Sequence, residues 1–371
     1  MISAMQFEIM LIASVTAVCC ALPGVFLVLR GMALMSDAIS HVVLLGIVLA
    51  FFATGDLNSP WLLIAAAATG VLTVFLVEMV TGTRLVKEDA AIGLVFPALF
   101  SIAVILVSRH AGNVHIDTDA VLLGELAFAP FDRLEMAGLD FGPRALAKMA
   151  VILALNVSLL LLFYKELKVA TFDPLLAVSL GFPAAAIHYG LMTMVSVTAV
   201  GAFDAVGSVL VVGLMVGPGA TAYLLTHRLS RMLTLAAGIG VLAALGGYWL
   251  AHLLDASIAG SITTVLGGLF GAAHVFAPGR GMLATWRRRA RQRVEFAQRM
   301  LCIHVFNHEG SPEAARENRV DHLGEHLRWK PAFIRRVVGT ARRQQLVGVE
   351  DGALLLTDRG RTVARESLQF S

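Results

Sequence analysis

Nine apolar stretches, each long enough to cross a lipid bilayer, dominate this sequence. A membrane-spanning helix needs about 20 consecutive, mainly apolar residues. The chain supplies such runs at 7–29, 36–54, 60–80, 90–108, 144–164, 184–203, 205–226, 232–253 and 259–278. Apolar residues make up 57% of the 371 residues and charged residues only 15%, which excludes an ordinary soluble domain. The sequence therefore predicts an all-α polytopic membrane protein with about eight or nine transmembrane helices.

The last quarter of the chain has a different composition. Residues 280–371 hold 18 of the 29 Lys and Arg residues but only 10 of the 26 Asp and Glu residues, a formal charge of +8 against −5 for residues 1–279. We therefore predict a transmembrane domain, 1–280, and a small basic domain, 281–371. Lys and Arg of the short loops follow odd-numbered spans, so the positive-inside rule places these loops and the basic domain in the cytoplasm.

The basic domain has the pattern of a winged helix. Three helical segments precede a short alternating hairpin, for which Gly348 and Asp351-Gly352 are turn signals. Four arginines of the candidate recognition helix could neutralise DNA phosphates: Arg335, Arg336, Arg342 and Arg343. The same residues could instead keep the domain soluble or hold it against anionic lipid, so the sequence leaves DNA binding open.

Two ionisable residues interrupt the second span. Asp37 and His41 are four residues apart and therefore project from one face of a helix. Carboxylate and imidazole together suit divalent ions such as Mn²⁺, Fe²⁺ or Zn²⁺. Because ionisable groups in a membrane are costly unless paired or functional, we interpret the pair as part of an ion pathway. A structural Asp–His pair buried between helices is the alternative.

Three further ionisable residues could extend this pathway: Glu125, His188 and Asp204. Together with the pair in the second span, they could form an acidic and imidazole-lined route for a cation. His188 could equally be a buried histidine of the bundle, and Glu125 could lie at the membrane interface. Asp204 lies between two long apolar runs and needs a partner.

A short helix is predicted between the fifth and sixth spans. Asp173 suits its N-cap, Pro174 its first position and Gly181 its C′ position. It is either an ordinary loop helix or a docking helix that receives force from a partner. The chain has no G-x-x-x-x-G-K-[ST] motif, so another subunit would have to bind any ATP that drives the protein.

Four ordered motifs resemble one known family: RGMALMSDAISHVVLLGIVLAF, EDAAIGLVFPALFS, FDPLLAVSLGFP and FDAVGSVLVVGLMVGPGATAYLLT. In this order they are similar to the permease subunits of the manganese, zinc and iron ABC importers, the ABC-3 class, over roughly residues 7–280. The basic domain resembles the winged-helix domain of metal-dependent repressors of the diphtheria-toxin-repressor type.

The resemblance implies a transporter subunit of the bacterial inner membrane that is not itself an enzyme. It implies a second permease protomer, the same or related, and a cytoplasmic ATPase subunit that binds ATP. It also implies an extracytoplasmic metal-binding protein, and a transported Mn, Zn or Fe ion in place of a permanent cofactor. By position, Asp37 and His41 match the pair that lines the metal pathway, and His188 and Asp204 fall where related permeases often carry histidine and an acidic or amide residue. Residues 172–181 match the coupling helix that contacts the ATPase, with Phe172, Asp173, Pro174, Leu175, Leu176, Leu180 and Gly181 as its named positions.

Two other classes of function are compatible with the same residues. An ion-coupled secondary transporter would use the ionisable groups as a relay and would need no ATPase. A membrane-tethered, metal-responsive regulator would sense the ion in the bundle and bind DNA through the basic domain.

Overall fold

The computed structural model describes residues 3–56, 59–110, 126–136, 139–312 and 314–369. Two compact units share the chain, Met1–Arg280 and Gly281–Ser371. Each unit has its own hydrophobic core.

The first unit is a helical bundle. Within its described residues, nine helices are long and apolar enough to cross a membrane, which confirms the predicted polytopic class. Two shorter helices, α6 and α7, lie between the fifth and sixth of these. The helices are α1 (Ala4–Arg30), α2 (Ala33–Thr54), α3 (Pro60–Gly82), α4 (Glu88–His110), α5 (Arg144–Leu162), α6 (Tyr164–Phe172), α7 (Pro174–Ser179), α8 (Ala184–Val206), α9 (Ser208–Leu225), α10 (Leu229–Leu254) and α11 (Ile258–Phe276).

Local signals set the ends of the first two helices. Ser3 and Gln6 form a reciprocal capping box at the start of α1, so two otherwise unpaired backbone N–H groups are satisfied. Gly31 adopts φ 76° and ends α1, and α2 begins two residues later. The short turn fixes the end of α1 next to the start of α2.

Helix α1 lies at the centre of the bundle. It packs against α5, α8, α9 and α10, whereas α2 packs mainly against α3 and α4. The approach of α1 to α9 is close because Gly24 has no side chain, and a Cβ there would overlap the carbonyl oxygen of Met215. Small residues allow such close backbone approaches between membrane helices.

A buried polar contact also joins three helices. The Asn156 amide nitrogen on α5 lies 2.8 Å from the Thr198 hydroxyl on α8 and 3.4 Å from the Cys19 carbonyl oxygen on α1. Buried polar groups are costly in hydrocarbon unless they are hydrogen-bonded. The contact therefore holds α1, α5 and α8 in register.

One element of the first unit was not predicted. A short antiparallel hairpin, β1 (Arg133–Met136) with β2 (Leu139–Pro143), follows a 3₁₀ turn at Ala129–Phe131. The sequence predicts all-α structure here, because these strands are too short to give a clear alternating pattern.

The second unit combines helices with a hairpin. The described elements are α12 (Met282–His308), α13 (Ala314–Glu317), α14 (Leu323–Leu327), α15 (Pro331–Arg343), β3 (Val347–Glu350), β4 (Ala353–Leu356) and α16 (Asp358–Gln369). Leu301, Val305, Val337 and Leu354 are central to its core.

The hairpin turns where the sequence predicted. Asp351 and Gly352 both have positive φ, 49° and 84°, which suits a tight two-residue turn. Gly348, by contrast, lies within β3. The sequence pattern did not separate the terminal helix α16 from the hairpin. It begins where the Thr357 hydroxyl accepts a hydrogen bond from the Gly360 N–H, 3.1 Å away.

Candidate functional site

Asp37 and His41 lie together on the second and third turns of α2. The Asp37 Oδ1 atom is 3.4 Å from the His41 Nε2 atom, as the four-residue spacing predicts. Their side chains are 47% and 29% exposed, respectively, on the surface of this single chain. The pair thus lies on an open face of the bundle and is not enclosed by the chain's own helices.

Aromatic side chains of α4 support the imidazole. The His41 ring centroid lies 5.4 Å from that of Phe96 and 6.2 Å from that of Phe100. Both phenylalanines belong to the EDAAIGLVFPALFS motif. Helix α4 therefore limits the orientations of the imidazole and leaves the carboxylate more exposed.

Within the segment 172–181, Pro174–Ser179 forms the short helix α7 that the sequence predicted, and Phe172 is the last residue of α6. The Asp173 carboxylate accepts a hydrogen bond from the Leu176 N–H, 2.9 Å away, and Pro174 occupies the first helical position. Gly181, with φ 83°, ends the segment before α8.

Helix α7 presents an apolar face. Leu175 is 84% exposed, and Phe172, Leu176, Val178 and Leu180 are also exposed, whereas Ala177 is buried. A helix of six residues cannot be stable by itself, so its neighbours α6 and α8 hold it in place. The arrangement can present a small apolar knob to another protein.

His188 contacts charged residues of other helices. Its Nδ1 atom lies 2.9 Å from the Arg30 Nη1 atom at the end of α1. Its Nε2 atom lies 2.7 Å from the Glu78 Oε1 atom on α3. The alignment of this second contact falls short of a hydrogen bond, so it is chiefly electrostatic. The Tyr189 hydroxyl donates a hydrogen bond of 2.5 Å to the other oxygen of Glu78.

Of the three further predicted pathway residues, His188 is the one whose side chain the structure describes. Glu125 lies outside the described residues. The backbone of Asp204 lies in the last turn of α8. Within the described part of the chain, no group of three or more His, Cys, Asp or Glu side chains is placed to hold one metal ion. Among the side chains that the structure describes, Asp37 and His41 are the predicted ligands that lie together.

The four predicted arginines of the second unit share one helix. Arg335, Arg336, Arg342 and Arg343 lie on α15 and are exposed, while Ile334, Val337 and Ala341 bury the opposite face. Arg335 and Arg342 are seven positions apart, and so are Arg336 and Arg343. Each of these pairs therefore lies along one side of the helix, and the two pairs form adjacent stripes.

Sequence reasoning missed three of the residues around His188. Arg30, Glu78 and Tyr189 were not considered as candidate site residues. The signal available for Glu78 was its position inside the third predicted span, where a carboxylate needs a partner.

Comparison with known proteins shows the family of this chain. Residues 2–277 match the model of the ABC 3 transport family. The chain is 46% identical, over 99% of its length and all of the relative's, to the zinc transport system membrane protein TroD of Treponema pallidum (strain Nichols). It is 48% identical, over 75% of its length and 95% of the relative's, to the manganese transport system membrane protein MntD of Bacillus subtilis (strain 168).

A solved structure has a similar helical bundle. The chain is similar to the structure of PsaBC from Streptococcus pneumoniae in complex with Fab, with a TM-score of 0.62 and 27% identity. That match covers 75% of this chain and 94% of the other. The family model covers all nine candidate membrane-spanning helices. The chain therefore belongs to the ABC 3 transport family.

Proposed function

We propose that the chain is the membrane permease of an ATP-driven importer of a divalent transition-metal ion, Mn, Zn or Fe. The zinc and manganese transport proteins to which it is similar support this ion class. ATP hydrolysis belongs to a separate cytoplasmic ATPase subunit. An extracytoplasmic binding protein delivers the ion, and the permease lies in the bacterial inner membrane with its basic domain in the cytoplasm.

The exposed Asp37–His41 pair is the observation that carries this proposal. A carboxylate that is 47% exposed on a membrane-spanning helix would be costly against lipid. A second permease protomer, identical or related, would cover the face and remove this cost. Two facing pairs would supply four ligands, which is a suitable number for a transition-metal ion. Glu125 and Asp204 stay as further candidates along the pathway, whereas the contacts of His188 with Arg30 and Glu78 suit another role.

Metal uptake in cells that express the chain with its ATPase and binding protein tests the proposal. We expect Asp37→Ala and His41→Ala to lower uptake about tenfold or more, because each removes a ligand. His274→Ala is the matched control, since His274 also lies on a membrane-spanning helix against a phenylalanine, Phe270. Undiminished uptake at normal membrane levels of the variants would refute the assignment. Uptake that needs no ATPase would favour a secondary transporter.

The apolar knob of α7 supports an ATPase contact. Docking of Leu175 and its neighbours would cover exposed apolar surface and link the ATPase to α6 and α8. We expect Leu175→Glu to abolish co-purification of the ATPase while the permease still reaches the membrane. Retention of the ATPase by this variant would place the contact elsewhere.

We further propose that the second unit is a winged-helix domain resembling regulators of the diphtheria-toxin-repressor type. The turn at Asp351-Gly352 and the exposed arginines of α15 support contact with DNA phosphates. The full chain in detergent should then bind duplex DNA with a strong salt dependence, and Arg335→Ala with Arg342→Ala should weaken binding. Equal binding by this double variant would exclude α15 as the contact.

A further inference from the structure

Arg30 bridges the two segments that flank α7 in the sequence. Its Nε atom donates a hydrogen bond of 3.3 Å to the Thr171 hydroxyl, two residues before Asp173. Its Nη1 atom lies 2.9 Å from the Nδ1 atom of His188, on the second turn of α8. One planar guanidinium therefore contacts the segments before and after the proposed coupling helix.

The direction of these contacts fixes the state of the imidazole. A guanidinium only donates hydrogen bonds, so Nδ1 of His188 accepts from Arg30 and Nε2 carries the ring proton. That proton faces the carboxylate of Glu78, whose second oxygen is held by Tyr189. Nδ1 thus accepts from Arg30 and Nε2 carries the proton, so neither nitrogen offers a free lone pair to a passing ion.

Arg30 also lies close in the sequence to the proposed ion pathway. Arg30 is the last residue of α1, and α2 starts only three residues later. Asp37 lies four residues into α2, roughly 6 Å along its axis. Glu78 is on α3, the helix that packs most extensively against α2. The same cluster therefore joins the segments beside α7 to α1 and α3, which both pack against α2.

We infer that Thr171, Arg30, His188, Glu78 and Tyr189 form the link that transmits movement of the coupling helix to α2. In this role His188 is a positioning residue and not a metal ligand. Separating the partly buried charges of Arg30 and Glu78 would be unfavourable, so the four helices that carry the cluster move together. The inference rests on the proposed function, because it assumes an ATPase that moves α7.

The test measures ions transported per ATP hydrolysed in proteoliposomes that contain the permease, the ATPase and the binding protein loaded with Mn²⁺, Zn²⁺ or Fe²⁺. Thr171→Val and Tyr189→Phe each remove one hydroxyl from the link. We expect both to lower this ratio about two- to tenfold, the range for loss of one hydrogen bond. The KM for the metal-loaded binding protein should not change, and Thr171→Ser should restore the ratio.

Two matched variants control for loss of a hydroxyl alone. Thr264→Val removes a hydroxyl that bonds only to its own helix, at the Gly260 carbonyl oxygen. Tyr248→Phe removes one from α10, away from the link. Both should keep the wild-type ratio. Size-exclusion chromatography with the ATPase shows whether each variant still assembles.

The outcomes separate the two ideas. An unchanged ratio in Thr171→Val and Tyr189→Phe would overturn the link while leaving the importer intact. A raised KM or an altered metal preference in His188→Gln, with Tyr189→Phe at wild-type values, would make His188 a ligand and also overturn it. If the wild type transports none of Mn²⁺, Zn²⁺ and Fe²⁺, the proposed function itself fails and the link fails with it.

Discussion

At the residue scale, polar side chains of the bundle are held in two physically different ways. Asn156 and Thr198 are uncharged, fully buried and satisfied by each other, so they stabilise one fixed arrangement of helices. Arg30 and Glu78 are charged and partly exposed, and His188 connects them. Such a charged cluster is costly to separate, so the helices that carry it stay joined when they move. The fixed contact lies in the core, and the charged one lies beside α7.

A residue pair of the second unit gives a pH-dependent prediction. Arg361 makes a bidentate contact with Glu309, with a shortest distance of 2.6 Å, and thereby lowers the pKa of the Glu309 carboxyl. Because the pKa of Glu309 is lowered in the folded state, the ion pair contributes to stability at pH values above the ordinary pKa of 4.5. This contribution is lost as the pH falls through the folded-state pKa.

We expect Glu309→Gln to lower hydrogen-exchange protection of α16 at pH 7 by about two- to fivefold, because an exposed ion pair contributes little. The difference between wild type and variant should shrink as the pH is lowered from 7 to 3. Protection factors measured on the full chain in detergent test this. A difference that is constant across the range would show that charge on Glu309 is not the cause.

Residues that share a helix were the predictable part of the site. The Asp37–His41 contact follows from a spacing of four on one helix. The contact between Arg30 and His188 joins residues 158 positions apart, and no periodicity along one chain encodes it. It depends on how α1, α3 and α8 pack, and that packing follows from close approaches such as Gly70 on α3 to Ser196 on α8.

At the element scale, the chemistry of helix ends was the strongest guide. Asp173, Pro174 and Gly181 bound α7 as their local preferences predict, because caps depend on only a few neighbouring residues. Helix α16 was missed because its start depends on tertiary packing as well. Gly360 lies against the Leu346 carbonyl oxygen, where a side chain would overlap it.

Glycines on α10 give a prediction about helix packing. A Cβ at Gly247 would overlap the backbone of Ile262 on α11, whereas a Cβ at Gly238 on the same helix meets open space. Gly247→Ala should therefore separate the two helices and cost about 1–3 kcal/mol, which lowers the melting temperature by about 2–10 °C. Gly238→Ala should leave it unchanged or slightly raised. Thermal unfolding in detergent measures both, and equal midpoints would contradict the packing argument.

At the scale of the whole molecule, the chain joins two units of opposite character. The first has an apolar, membrane-spanning core, and the second has a small core beneath a basic surface. The family match ends at residue 277, and the manganese transport protein MntD is matched over 95% of its own length by 75% of this chain. The family fold is therefore complete without the second unit, whereas the match to TroD includes it.

This division predicts that a chain cut after Arg280 still folds and transports. Arg280 itself should be kept, because it donates a 2.6 Å hydrogen bond to the Tyr223 carbonyl oxygen and contacts His227 at 2.8 Å. With its own core intact, residues 1–280 should support metal uptake within about twofold of the full chain. A cut after Phe276 is the control, and it should lower the melting temperature because those contacts are lost. If the longer fragment reaches the membrane with its ATPase but does not transport, the second unit takes part in transport and is not a separate module.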